Sequence, residues 1–197
     1  MALISSTRLG YPAPRGWRRM AAIIDRVPEH QSEEDALQDL IDRSWRRAGP
    51  SLRAAWPEEH RMTAQQLLAF CQGQRHCVLG VAGAGRAPLL VPVSFNIAPG
   101  GAIWLPTGAG AVRLELIRRN PRATVIVGQA LSDHHRVVLA SGPVELVESL
   151  ALPPGVVEAA ENKLGALEWA EWWIRLTPAR LLGYDAGSAG SLRTSPG

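Results

Sequence analysis

From residue 76 onward, short apolar runs alternate with brief polar or glycine-rich breaks. HCVLGVA (76–82) precedes GAGR, APLLVPVSFNIA (87–98) precedes PGG, and AIWLPT (102–107) leads into a glycine-rich turn. RATVIVGQA (122–130), the polar LSDH and RVVLASGPVELV (136–147) repeat the scheme. Runs of this length, rich in Val, Ile and Leu and joined by hairpin-sized breaks, predict a mainly antiparallel sheet. A last strand is expected over WWIRLTPARLLGYD (172–185). Several such strands with few helices predict a small barrel.

Other stretches carry a helical period. SEEDALQDLIDRSWRRAG places apolar residues at Ala36, Leu37, Leu40, Ile41 and Trp45, with Ser32 as N-cap and Gly49-Pro50 as the stop. TAQQLLAFCQG opens with a capping-box pattern, Thr63 and Gln66, and closes on Gly73. GVVEAAENKLGALEWAE (155–171) predicts an acidic helix. The chain thus divides into an N-terminal extension over 1–62 with one helix and loose flanks, a compact domain over 63–185, and a small polar tail over 186–197 read as disordered. Residues 1–20 are Arg-rich and acid-free, with Pro12 and Pro14. They read as a disordered leader rather than a secretory signal. The extension also offers a surface for docking a partner.

Composition narrows the class. With 46% hydrophobic and 20% charged residues, the 197-residue chain is ordinary globular material. No apolar run approaches the roughly 20 residues of a membrane helix. Cys71 and Cys77 fit neither a disulfide framework nor a zinc site, and no metal site is expected. They read as small apolar residues of a reducing, cytoplasmic setting. The formal charge is +3, carried by arginine with Lys163 as the sole lysine. The pairs Arg46/Arg47 and Arg118/Arg119 have acids close by, so no clustered basic face for nucleic acid is expected. The motifs of hydrolase elbows, zinc peptidases and P-loops do not occur.

The stretch TGAGAVRLELIRRNPR, Thr107 to Arg122, holds the candidate chemistry. A dinucleotide fingerprint would use Gly108 and Gly110, with Asp133 downstream. However, the third glycine position holds Arg113, the helix over 111–119 is short for a crossover, and the neighbouring strands read as hairpins. A single phosphate fits better. A helix start offers N–H groups and a positive dipole end, Gly108 and Gly110 let backbone approach, Thr107 adds a hydroxyl and Arg113 a charged fork. A plain loop with a solvated arginine fits the same residue types.

The order of pieces adds to this. A helix and strand are followed by GR, a strand carrying VPVSF, an apolar strand ending in Thr, a first-turn basic residue and LIRRNPR. A strand with a central Gly142 and a late Trp-rich strand complete the set. From Thr63 to Asp185 this resembles the pyridoxamine 5'-phosphate oxidase-like family, the flavin-binding split barrels. The resemblance implies an α+β, mainly β fold: a six-stranded antiparallel split barrel with short helices. It implies a homodimer binding FMN or deazaflavin coenzyme F(420) in grooves at the dimer interface, and an oxidoreductase acting on a small organic substrate. Arg113 stands where the family has a phosphate-binding basic residue. Pro92, Val93, Ser94 and Phe95 stand where it lines the isoalloxazine ring. A flavin ring carries the redox chemistry itself, so no catalytic side chain is named.

The chain departs from the family in places. Ala111 and Val112 occupy positions where FMN-binding members often have Ser-Arg. Arg136 matches an oxidase arginine, but Val137 follows it instead of glutamine. RLTP, Arg175 to Pro178, matches a substrate-phosphate motif of the true oxidases, yet the chain runs on. Vitamin B6 chemistry is therefore not inferred, and a non-catalytic module holding flavin or haem is the alternative. His134 and His135 are adjacent, so they would point to opposite faces of a strand. They read as solvated turn residues, or as a haem ligand of the kind some split barrels use. Trp169 and Trp173 are spaced for one helical face. The Trp169, Trp172 and Trp173 cluster reads as core or interface, with Trp172, Trp173 and Arg175 as the substrate candidates.

Overall fold

The computed structural model describes residues 33–188 except positions 84, 86, 132, 133 and 166. The predicted leader, the Ser32 cap, Ala84 and Arg86 of the first turn, Asp133, and residues 189–197 lie outside the described residues. The helices are α1 (Glu33–Arg46), α2 (Pro50–Ala55), α3 (Ala64–Gln72), α4 (Val112–Arg119) and α5 (Pro154–Leu164). The strands are β1 (His76–Val81), β2 (Leu89–Ser94), β3 (Asn96–Ile97), β4 (Ile103–Thr107), β5 (Arg122–Leu131), β6 (His134–Glu148), β7 (Trp172–Leu176) and β8 (Arg180–Ser188).

Every strand pairing is antiparallel. The order is β2-β1-β5-β6-β7-β4-β3, with β8 also paired to β6. β2 and β3 end this order on opposite sides, yet Phe95 alone separates them in sequence. One intervening residue spans about 7 Å between flanking Cα atoms. The sheet must therefore curl until its ends meet, which makes the split barrel. The long strand β6 carries the fold: its first part pairs with β5 and β8, and Val144–Glu148 pair with β7.

The fold class is the predicted one, with eight described strands in place of six. One extra strand is the short β3. The other comes from the predicted last strand, which is two strands, β7 and β8. Pro178 lies between them and has no ladder N–H to donate. Thr177 N–H donates to Pro143 O (3.1 Å) and Ala179 N–H to Ser141 O (2.9 Å), so this link steps across Gly142 of β6. β8 also continues past Asp185, the predicted end of the domain, to Ser188.

Residues 33–62 are tied in tightly. Among the described residues this segment contains two helices rather than one, because Pro50 stands at the start of α2, where a missing N–H costs nothing. Leu37 and Ile41 of α1, together with Met62, belong to the main core beside Leu67, Leu79, Val125 and Leu105. Ser44 Oγ accepts from Leu181 N–H of β8 (2.9 Å), and Gln38 Oε1 accepts from Ala64 N–H (2.8 Å). The Thr63–Gln66 capping box forms as predicted.

Cys71 and Cys77 are free, buried thiols. Burial pushes each up from the ordinary thiol value to about 12, so neither is a nucleophile at neutral pH. Lys163 of α5 donates to Cys71 O (2.9 Å) and lies 3.9 Å from the Phe95 ring centroid. Burial lowers it to about 8. The unfolded thiols ionise at about 8.5, where the folded ones keep their protons, so stability falls as pH rises above that value. Lys163 acts oppositely: the unfolded chain keeps its proton up to about 10.4, so stability rises between about 8 and that value. Two fully buried thiols outweigh one half-exposed amine. The melting temperature is expected to fall between about pH 8.5 and 10, and to be level or rising there in the C71A/C77A double variant. A level wild-type curve would contradict this.

Candidate functional site

β4 ends at Thr107, directly opposite Trp172 of β7. Ser149 fixes the chain just before β7. Its N–H donates to Glu171 O (3.1 Å), its Oγ donates to Ala170 O, and it accepts from Trp173 Nε1 (3.1 Å). Residues 170–173 are thereby held beside the turn that follows β4. Glu171 Oε2 accepts from Ala109 N–H at 2.6 Å. Ala111 N–H donates to Gly108 O (3.2 Å), closing the turn, and α4 starts at Val112 with Ala111 as an N-cap that has no side-chain hydrogen bond.

Two polar atoms flank this turn in sequence without a partner. Thr107 is fully buried, and its Oγ1 has no hydrogen bond; Arg113 Nε is also buried and unpaired. Burial lowers the Arg113 pKa, though a guanidinium stays charged. Buried polar atoms without partners cost free energy. An acceptor reaching either atom would relieve part of that cost, and the start of an eight-residue helix adds N–H groups and a favourable dipole. Val112 contributes no polar group and is 68% exposed.

Gly108 and Gly110 are not in left-handed conformations, contrary to a sharp-turn requirement. A Cβ at Gly110 would meet nothing within 4 Å, and one at Gly108 would lie 3.6 Å from Glu171 Oε2. Their contribution is openness around the turn.

Pro92, Val93 and Ser94 lie on β2, which among the described residues pairs with β1 alone. Val93 and Phe95 point into the core; Pro92 is exposed and Ser94 half-buried. A groove of about 430 Å³ joins the start of β2 to α4, lined by Leu89, Pro88, Val112, Glu115, Leu116 and Arg119 among others. Its lining includes none of Pro92–Phe95. The structure therefore sets Thr107 opposite Trp172 and the Gly108–Gly110 turn beside Glu171, with Arg113 three residues further on in the first turn of α4 and the ring-lining candidates along β2.

The substrate candidates separate from one another. Trp172 is half-buried with the Arg118 guanidinium 5.5 Å from its ring. Trp173 is 3% exposed beneath α5, in a satellite core with Trp104, Ala160 and Ala170. α5 stops at Leu164, where Gly165 takes φ +88°, so the predicted helical face of Trp169 and Trp173 does not form. Trp169 sits in a turn, 53% exposed. Arg175 ion-pairs with Glu145 (3.2 Å) and lies 5.6 Å from the Trp104 ring. His135 is in β6 rather than a turn, edge-on to Tyr184 at 5.9 Å. Glu171 was not a candidate from the sequence, because its contact with Ala109 spans 62 positions and exists only through the β4–β7 pairing.

A family model described as pyridoxamine 5'-phosphate oxidase matches residues 63–184. Solved structures share the fold. A conserved hypothetical protein of Mycobacterium tuberculosis superposes with TM-score 0.54 and 19% identity, covering 72% of this chain and 96% of the other. A putative 5-nitroimidazole antibiotic resistance protein of Bacteroides thetaiotaomicron gives 0.54 and 12%, covering 64% and 86%. An FAD binding protein of Mycobacterium smegmatis gives 0.51 and 14%, covering 64% and 96%. A search of curated proteins finds no match. The family match spans more than half the chain and coincides with the curled antiparallel sheet, and the chain belongs to the pyridoxamine 5'-phosphate oxidase-like split-barrel family.

Proposed function

We propose that the chain is a flavin-dependent oxidoreductase that binds FMN, or alternatively deazaflavin coenzyme F(420), and acts on a small organic substrate. The observation that carries this reading is the pair of orphaned buried atoms, Thr107 Oγ1 and Arg113 Nε, around the start of α4. They fit a phosphate: one hydroxyl and one guanidinium are left over where a helix start already favours an anion. In this reading Thr107, the turn at Gly108 and Gly110, and Arg113 hold the phosphate, and Pro92–Phe95 run along the ring. Trp172, next to Thr107 across the β4–β7 pair, is the substrate candidate nearest the phosphate, with Trp173 and Arg175 behind it. When bound, the flavin ring supplies hydride transfer, and the chain's task is to orient it and exclude water.

Self-association completes the reading. Pro92, Val78 and Ile126 are in register across β2, β1 and β5, and with Leu90 they leave an apolar stripe on the outer face. A second copy is the proposed cover, giving a homodimer. No described helix is long and apolar enough to cross a membrane, and a cytoplasmic setting belongs to this reading.

One sample tests these points. The purified chain is expected to sediment as a dimer and to quench FMN fluorescence or shift deazaflavin absorption at micromolar ligand or below. Weaker binding of both would remove the flavin reading. The apolar Ala111 and Val112 favour a second reading, a passive module for flavin or haem. A haem Soret band, or bound flavin that no nicotinamide donor or substrate reduces, would favour it.

A further inference from the structure

Glu171 is placed where an incoming anion would have to go. Its Oε2 holds Ala109 N–H at 2.6 Å, a charge-assisted length, on the same turn that Thr107 and Arg113 flank. The position is enforced: Trp172 is pinned opposite Thr107 in the ladder, and Ser149 N–H holds Glu171 O at 3.1 Å. A pocket of about 410 Å³ adjoins it, lined by Glu148, Glu168, Leu150 and Trp172 as well as by Glu171 itself. A carboxylate leaving the turn for that pocket would move toward two like charges. That raises the cost of leaving.

We propose that Glu171 is a resident anion of the Gly108–Gly110 turn, which a ligand phosphate must displace, so that it sets the preference between phosphorylated and unphosphorylated flavins. This rests on the phosphate-site reading above. The chemistry is an exchange of acceptors. Ala109 N–H passes from the Glu171 carboxylate to a phosphate oxygen, and one negative charge must move away as another arrives. A phosphorylated ligand gains Arg113 and loses part of that gain in expelling Glu171. A ligand without phosphate leaves Glu171 in place.

The test is the ratio of FMN to riboflavin affinity in the full chain, for the native residue, E171Q and E171A. Removing the carboxylate is expected to strengthen FMN binding by about tenfold with riboflavin unchanged. A residue that merely supported the turn would act the other way, weakening FMN binding when removed. An unchanged ratio, or a fall in FMN affinity, overturns the proposal. Inorganic phosphate titrated against the Ala109 amide resonance serves as a second probe. It is expected to bind more tightly to E171A than to the native chain, and equal binding again overturns the proposal. If neither flavin binds any of the three proteins, the flavin reading fails, and the phosphate titration still decides the role of Glu171.

Discussion

Replacing Gly142 by alanine is expected to cost roughly 4 kcal/mol or more, enough to leave little folded protein at 37 °C. A Cβ built at Gly142 falls 2.1 Å from Thr177 O, 2.8 Å from Ala179 N and 3.1 Å from Thr177 C. All three are backbone atoms, so no side chain can swing aside. The link they belong to is held at both ends, by Thr177 N–H on Pro143 O and Ala179 N–H on Ser141 O, with the rigid Pro178 between. Relief requires breaking at least one of these bonds at the point where β6 changes partners from β8 to β7. Against a total stability of about 5–15 kcal/mol, this is a large share. The control is Gly128→Ala on β5, where a Cβ meets nothing within 4 Å. Its melting temperature is expected to stay within a few degrees of the parent, roughly the span of a 0.5 kcal/mol change. A G142A variant that melts alongside G128A would refute the close approach.

The same glycine shows what was legible beforehand. Alternating apolar runs and short breaks were enough for the antiparallel barrel, because hydrophobic period and turn length are local properties. Gly142 was visible as a glycine inside a strand, but its reason was not. That reason is a backbone crossing from residues 177–179, brought there by tertiary pairing. The helix of residues 155–171 was overextended for a related cause. Its periodicity runs through Trp169, but Gly165 at φ +88° ends the helix. The site divides in the same way. Thr107, Gly108, Gly110 and Arg113 lie within seven positions, and their neighbourhood could be read directly from residue types. Glu171 could not, since only the β4–β7 ladder brings it to Ala109. Gly108 and Gly110 are not in left-handed conformations, so residue type alone does not reveal what they give the turn.

Arg113→Glu is expected to weaken FMN binding by at least about a hundredfold. A hydrogen bond to a charged partner contributes about 1.5–3 kcal/mol, and reversing the charge adds repulsion beside a turn that already carries Glu171. Folding should change little, because Arg113 is only half-buried and its Nε has no partner to lose. Fluorescence titration with FMN and with riboflavin, alongside a melting curve, separates the possibilities. Selective loss of FMN with riboflavin affinity and melting temperature preserved is the expected result. Equal loss of both flavins would mean that Arg113 shapes the groove rather than holding a phosphate. The neutral Arg113→Gln variant grades the effect, because it removes the charge without adding repulsion. It is expected to fall between the parent and R113E, and combining it with E171Q should recover part of the loss. Since E171Q alone is expected to strengthen FMN binding, a recovery that differs from that single effect, and not recovery itself, shows that both side chains act on the same anion position. Strict additivity of the two substitutions would place them at separate sites.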